Sequence, residues 1–472
     1  MTGSAPAPAT VLQFGTGVFL LGFVDWIIQQ LNERAEFDGR VLALKARPGS
    51  SASLAPLNQY SGRFEIWLRG YRNGELIDEV QPVNCVQGAV NPFADYAVAL
   101  EQAASDEWRW VVSNTTEAGI RYTAQQAPQD AVPTTFPALL TAMLHHRFVH
   151  YRGAGERGVT VLCCELIEDN ASTLRDIVLR HAGDWNLPAD FSDWLQASCA
   201  FCNTLVDRIV TGEPASAPPA RTLPSDAPLI EAEAFYSWVI QAPPAVWARL
   251  PVERAGLDGV QFVDDLKPWR ERKVRILNGA HTAGFALSLM LGVPTVFDSM
   301  SNPLLRRYLE RLIYDEVCPT LAGEDIEVYA AAILERFDNP HVEHRWENIA
   351  LNALSKWRAR LLPTLLDAAA GRDSLPPLLV LSLAALLCFY RGQWQGRTLP
   401  VRDDEAAVAE LRRLWQSGAE PSLAIAAILD SDVIWGEKLP PVSGLVDALS
   451  DVISRMECDG VESVLEACLA KS

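Results

Sequence analysis

The stretch TVLQFGTGVFLLGFVDWIIQQLNER, residues 10–34, decides the fold. It opens with a short apolar run of β type, turns through Gly15-Thr16-Gly17, and continues with helical spacing from about Val18 to Arg34. A strand that ends in glycine and feeds a helix reads as the first unit of a parallel α/β sheet. Glycine at 15 and 17 permits a tight turn. It also lets the backbone approach a pyrophosphate at the helix N-terminus, where free N–H groups favour anions. The third glycine of the G-x-G-x-x-G pattern is missing, because that position is Leu20, although Gly22 lies close by. Plain turn chemistry is the alternative. The place of the turn in the chain favours a dinucleotide, with Gly15, Gly17, Val18 and Phe19 as its contacts.

Further short apolar strands follow: RVLALKA (40–46), RWVVS (109–113) and GVTVLCC (158–164). Helical stretches such as PALLTAMLHHRFVHY and ASTLRDIVLRHAG lie between or after them. Fully apolar strands alternating with helices predict a doubly wound parallel sheet covered on both faces. TGEPASAPPARTLPSDAP (211–228) reads as an exposed loop. From about residue 266 the β signal fades and helical periodicity dominates. The expected division is an α/β domain over 1–265 and a mostly α-helical domain over 266–472.

Forty basic against 59 acidic residues give a net charge of −19, which argues against nucleic acid or an anionic membrane as partner. The longest apolar run, LLVLSLAALLCFY (378–390), is short of the roughly 20 residues a membrane span needs and reads as a core helix. The N-terminus lacks the pattern of a signal peptide. Nine cysteines without framework spacing point to the cytoplasm. Cys199 and Cys202 form a lone C-x-x-C, expected on a packed helix and not in a zinc site. The reader of the ribose should follow the second strand as Asp or Glu for NAD. That segment is LALKARPGS, with Lys45 and Arg47 and no acid, so a solvated basic loop and tolerance of NADP both stay open.

RERKVRILNGAHTAGFAL (270–287) sets Lys273, Asn278 and His281 among apolar residues. On an α-helix Asn278 lies ~140° and His281 ~80° from Lys273, so the three fit one broad sector. A surface stripe is the plain reading; the apolar surroundings favour a pocket. A lysine in a partly dry pocket has its pKa pulled down from ~10.4, which makes it a workable acid/base. Such a trio suits carbonyl/alcohol redox chemistry: Lys273 handles the proton, Asn278 donates to the developing alkoxide, and His281 fixes a neighbouring hydroxyl. His341 and His344, spaced H-x-x-H, are too few for a convincing metal set, and none is expected.

KVRILNGAH fits the K-x-x-x-x-N-x-x-H motif of the polyol-specific long-chain dehydrogenases, the mannitol dehydrogenase family. CNTLVDRIVTG (202–212) resembles that family's V-D-R-I signature. LQFGTGVFLLGFVDW, VVSNTTEAGI, CELIEDN and FVDDLKPWRERKVRILNGAHTA look most like its tagaturonate reductase branch. The likeness runs through most of the chain. It implies a Rossmann-type N-terminal domain, a largely helical C-terminal domain, and an active site in the cleft between them. It further implies NAD as cofactor, a sugar-acid substrate, and a monomer or small homo-oligomer.

By this resemblance Lys273 is the catalytic acid/base, Asn278 and Asn170 polarise the carbonyl, and His281 positions substrate. Asn114 and Thr115 would line the cofactor, and Glu117 matches a Glu linked to proton exchange beside the nicotinamide. Asp207 sits at a site-associated position, with Arg208 its candidate partner. Lys356 matches a substrate-contacting Lys, and Arg358 or Arg345 would join it on the carboxylate; a solvated helix face is the plain reading of both arginines. The chain departs from the family at three places. CELIEDN keeps only one of two asparagines, Asn348 replaces an Arg, and Leu21 stands where Arg is expected after the glycine turn. Fructuronate reductase and mannitol 2-dehydrogenase are the neighbouring activities. A non-catalytic dinucleotide sensor would need the glycine turn without the Lys-Asn-His trio.

Overall fold

In a computed structural model, which describes residues 8–116, 118–129, 131–216, 218, 220–370 and 374–470, the run Val11–Phe14 is a fully buried strand, β1. The other strands of the first part of the chain are β2 (Val41–Leu44), β3 (Phe64–Arg72), β4 (Glu75–Val83), β5 (Val86–Val90), β6 (Trp110–Ser113), β7 (Thr160–Cys163) and β8 (Ala200–Cys202). After them come β9 (Thr204–Asp207), β10 (Val210–Gly212), β11 (Leu229–Glu233), β12 (Ser237–Gln241) and β13 (Val260–Val263).

Six strands make one parallel sheet in the order β5-β2-β1-β6-β7-β8. Side chains alternate across it with the two-residue period of a strand. Val11, Val41, Ala43, Trp110 and Val112 enter one apolar cluster, and Leu12, Phe14, Leu42, Leu44 and Val111 the opposite one. Helix α1 (Trp26–Ala35) covers the first face, and α2 (Phe136–His150) with α3 (Asn170–Asp184) covers the second. Each fully buried Leu, Ile or Val contributes roughly 1.5–3 kcal/mol, so coverage on both faces holds the sheet. This is the doubly wound parallel sheet expected from the apolar strands.

Two smaller sheets, β10-β11-β3-β4 and β13-β12-β9, were not legible in the sequence. Their strands mix apolar with charged residues, as in FEIWLRGYR and ELIDEVQPV, which hides the alternation. Of the Pro-rich segment, Thr211 and Gly212 belong to β10 instead of a loop, and the described residues after them form a loop that is pinned. Buried Glu65 on β3 accepts from Arg221 Nε at 2.7 Å, Thr222 N at 2.6 Å and Leu223 N at 3.1 Å. The C-x-x-C expectation fails in its setting: Cys199 follows a helix and Cys202 lies on β8, both buried and both with thiols pushed up to about 12 by burial.

The chain forms two compact units, one running to Gly70 and from Leu76 to Leu266, the other comprising Tyr71–Glu75 and Lys267 onward. The second is almost wholly helical. Its helices include α4 (Gly279–Leu291), α5 (Ala353–Arg360) and α6 (Pro377–Phe389). All residues of α6 after Pro377 are buried, as its uninterrupted apolar run requires. Buried Glu316 caps its start, accepting from Leu378 N and Leu379 N at 2.8 Å each, where the free N–H groups of the first turn favour a carboxylate. Among the described residues no helix is long and apolar enough to cross a membrane.

Candidate active site

The chain order of the parallel sheet reverses beside β1, with β2 on one side and β6 on the other. In open α/β sheets ligands bind at such a switch point, beyond the carboxyl ends of the strands. Gly15 leaves β1 there and Asn114 leaves β6. Gly15 has φ +130°, and a Cβ on it would lie 2.8 Å from the Asn114 carbonyl oxygen. Only glycine lets these two strand ends close up. Gly17 differs: it is extended, with φ −77°, and a Cβ on it would meet no atom within 4 Å. Nothing in the fold demands glycine at 17, which leaves space beside the backbone there. Val18, 43 % exposed, begins the helix, and Phe19 stacks on Phe23 with ring centroids 5.1 Å apart. The glycine turn therefore fits a dinucleotide pyrophosphate.

The segment after β6 is held by a buried acid that the sequence reading passed over. Glu165 Oε2 accepts from Ser113 Oγ, and Glu165 Oε1 from Thr115 N and Oγ1, all at 3.0 Å. Burial raises its carboxyl above the usual carboxylate range, against the pull of these hydrogen bonds. Asn114 donates through Nδ2 to the Cys164 carbonyl at 2.7 Å. Asn114 and Thr115 thus lie beside the glycine turn, with these donors spent on shaping it. Glu117 lies outside the described residues.

Asn170 requires a correction. Its Nδ2 lies 3.0 Å from the carbonyl oxygens of Cys163, Glu165 and Thr204, and its Oδ1 accepts from Ala171 N and Thr204 N. The amide is fully committed to stapling β7, β9 and the start of α3, so it has no donor left for a carbonyl. Asp207 is half-buried at the end of β9, opposite Ser237. Arg208 is buried over the Trp26 ring. It donates to the Glu233 carbonyl and to the Gly22 carbonyl, both at 2.9 Å, and so fixes the helix that leaves the glycine turn.

That helix contains a π turn, Leu21–Asp25, which ends on a fully buried carboxyl. Gln13 Nε2 bridges Asp25 Oδ2 and the Gly15 carbonyl, 3.2 Å from each. Burial pushes Asp25 up to about 8 from 3.8, opposed by the Gln13 amide. The folded protein keeps a proton that the unfolded chain releases near pH 4. Stability should therefore fall as pH rises from about 4 to about 8 and then level off. We predict that Asp25→Asn removes this component. Urea unfolding at pH 5, 6.5 and 8 should show the variant gaining on the wild type by up to about 1.4 kcal/mol per pH unit. A difference constant with pH would contradict it.

In the second unit, Lys273–Asn278 forms a second π turn, leading directly into α4. The Gly279 N–H donates to the Val274 carbonyl, five residues back instead of four. The α-helical spacing expected from the sequence does not hold here. Closure over five residues changes the turn, so the ~140° separation of an α-helix no longer applies to Lys273 and Asn278. Both side chains are half-buried.

His281 packs against Phe337, His344 and Trp346, with centroids at 4.5, 4.8 and 6.2 Å. Burial, then the neighbouring His344, Arg336 and Arg360, hold its pKa well below the usual value, so the ring is neutral. A hydrogen bond to the Leu277 carbonyl occupies the ring on one side. Nε2 is buried without a hydrogen-bond partner. An unspent buried acceptor is costly to a fold and calls for a partner. His344 reaches the site as a packing neighbour of His281, and among the described residues no three His, Cys, Asp or Glu groups cluster as metal ligands would.

The cations expected at a substrate carboxylate separate. Arg345 lies between Glu343 and Glu347, at 3.0 and 2.7 Å. Arg358 bonds to the Trp435 carbonyl and pairs with Glu437 at 3.4 Å. Two residues apart on a helix point to opposite sides, so Arg358 cannot share a face with Lys356. Arg360, four residues on, can. It was passed over in the sequence, although the i, i+4 spacing was there to find. Arg360 Nη1 donates to Thr282 Oγ1 at 3.1 Å, and Thr282 Oγ1 donates to the Asn278 carbonyl at 2.8 Å.

Two family models match the chain, the mannitol dehydrogenase Rossmann domain over residues 9–254 and the mannitol dehydrogenase C-terminal domain over residues 265–457. An altronate oxidoreductase of Klebsiella pneumoniae (strain 342) is 38% identical, covering 97% of each chain. An altronate oxidoreductase of Bacillus subtilis (strain 168) is also 38% identical, covering 97% of this chain and 95% of its own. Among solved structures, a substrate-free D-sorbitol dehydrogenase superposes with a TM-score of 0.81 at 19% identity, covering 98% of this chain and 95% of that one. A ternary complex of Pseudomonas fluorescens mannitol 2-dehydrogenase with NAD and D-mannitol gives 0.65 at 23% identity, covering 99% and 95%. At these identities the two structures speak to the fold.

Proposed function

The chain belongs to the mannitol dehydrogenase family, and from that premise we propose that it is a metal-independent oxidoreductase interconverting D-tagaturonate and D-altronate, with NAD as its dinucleotide. The observation that carries this reading is the 38% identity to altronate oxidoreductases over 97% of the chain. The glycine turn with Gly15, Gly17, Val18 and Phe19, shaped by Asn114 and Thr115, would hold the dinucleotide. When bound, the nicotinamide supplies or accepts the hydride.

The chain's own groups handle the proton. In reduction, Lys273 gives a proton to the ketone oxygen while Asn278 donates a hydrogen bond to the same oxygen. In oxidation, Lys273 takes the proton back. Proton transfer by a placed side chain contributes typically 10²–10⁴-fold. Donors set before charge develops on oxygen add further, since they need no reorganisation. The neutral His281, with Nε2 unspent, accepts from a neighbouring substrate hydroxyl. Asp207 and Lys356 complete the substrate contacts of this reading. β2 ends at Leu44, and Lys45-Ala46-Arg47 after it offer no carboxylate for a ribose 2′-hydroxyl, so NADPH belongs beside NADH in any assay. We further propose a monomer or small homo-oligomer in the cytoplasm, in keeping with nine cysteines that are all free thiols.

The test is loss of NADH absorbance with tagaturonate, fructuronate and fructose in parallel. Tagaturonate should be reduced with the highest kcat/KM. A preference for fructuronate or fructose would reassign the substrate. Turnover of none, with NADH still bound, would make the protein a dinucleotide sensor.

A further inference from the structure

Half-buried cations usually have a carboxylate at hand. In the helical unit Arg275, Arg306, Arg311, Arg345, Arg358 and Arg391 each have one. Lys356 and Arg360 do not: among the described residues neither has an acid within ion-pair distance. Both lie on one face of α5, one turn apart. Lys356 Nζ donates to the Ile349 carbonyl at 3.1 Å, and Arg360 uses Nη1 on Thr282. Burial, then the charge of Arg360, holds the Lys356 pKa below its usual value, and Asp403 opposes them. Asp403 is itself engaged, since its Oδ2 accepts from Tyr390 OH and from Leu354 N. Arg360 is also among the charges acting on His281. It therefore neighbours both Lys356 and His281, and it is joined to Asn278 through Thr282.

Two like charges kept close together and partly dry raise the free energy of the protein without its ligand. An anion placed between them removes that cost. A guanidinium offers a fork of donors and an ammonium a point charge, a combination suited to a carboxylate. We propose that Lys356 and Arg360 together bind the substrate carboxylate and select a sugar acid over a neutral ketose. A hexuronate ketose carries its carboxylate at the chain end remote from the ketone. The clamp would hold that end while Lys273 and Asn278 serve the other. This inference rests on the oxidoreductase reading above.

The experiment compares tagaturonate with fructose, which keeps a ketone but has no carboxylate, in wild type, Arg360→Gln, Arg360→Lys and Lys356→Gln. Arg360→Gln should raise the tagaturonate KM roughly 10- to 100-fold, the loss expected for a hydrogen bond to a charged group. Its kcat, and both constants for fructose, should move by less than about threefold. Arg360→Lys should recover part of the loss. The wild-type tagaturonate KM should rise with salt, and less steeply in the variants. Equal damage to both substrates would make Arg360 a support of the Asn278 turn, and no change would remove it from the site; either result overturns the clamp. If Arg360→Gln fails to fold, Lys356→Gln decides, since its ammonium meets only one carbonyl. A wild type inert on every hexuronate would sink the oxidoreductase reading and the clamp with it. Activity that survives with unaltered preference in the variants would sink the clamp alone.

Discussion

Lys273→Ala should lower turnover of the sugar acid roughly 10²- to 10⁴-fold while NADH affinity stays within about twofold. Lys273 opens a π turn that closes at Asn278. Removing the ammonium takes away the proton that must reach the ketone oxygen, and leaves the glycine turn of the other unit untouched. The helix that follows keeps its anchors, because Ile276, Leu277 and Ala280 stay in the core. The variant should therefore fold. Added primary amines should restore part of the rate if a proton donor is what was lost. Pre-steady-state absorbance with saturating NADH and tagaturonate separates chemistry from release. A variant that kept most of its single-turnover rate would show that another group carries the proton.

Gly15→Ala and Gly17→Ala should fail in different ways. At position 15 the backbone sits at φ +130°, where an L side chain is strained, and the new Cβ would press on the Asn114 carbonyl at 2.8 Å. Backbone cannot step aside as a flexible side chain can. The strain alone costs on the order of 1–3 kcal/mol. Loosening the two strand ends should also weaken NADH binding at least tenfold. At position 17 the same methyl meets no protein atom within 4 Å. Gly17→Ala should keep its melting temperature and still lose NADH affinity, because the methyl intrudes only on a bound pyrophosphate. Thermal unfolding with NADH titration of both variants checks this. If Gly17→Ala bound NADH normally, the dinucleotide would not cross the turn there.

The parts of this molecule that could be read from sequence are those where one kind of interaction dominates. β1, β2, β6 and β7 are short apolar runs buried on both faces, so composition alone marks them. α6 is legible for the same reason. β3 and β4 escaped because Glu65, Arg69 and Asp78 interrupt the apolar pattern. Two of these charges are met by residues far along the chain, Arg221 on Glu65 and Glu231 on Arg69. The spacing of Lys273, Asn278 and His281 announced that polar groups meet. It could not announce the π turn, since five-residue closure has no sequence period. Asn170 looked catalytic by resemblance, and the three carbonyls around its Nδ2 come from β7, the turn after it and β9. Arg360 was within reach by counting: four residues after Lys356 is a shared face, two is not.

In the proposed reaction hydride moves between a nicotinamide and a sugar acid while Lys273 moves the proton, with no metal required. The direct measurement is mass spectrometry of the product formed from tagaturonate and NADH deuterated at the transferring position, in the presence of EDTA. Altronate should carry one deuterium on the new carbinol carbon, at a rate unaffected by the chelator. Altronate without deuterium, or a reaction that stops on chelation and resumes with added metal, would contradict it.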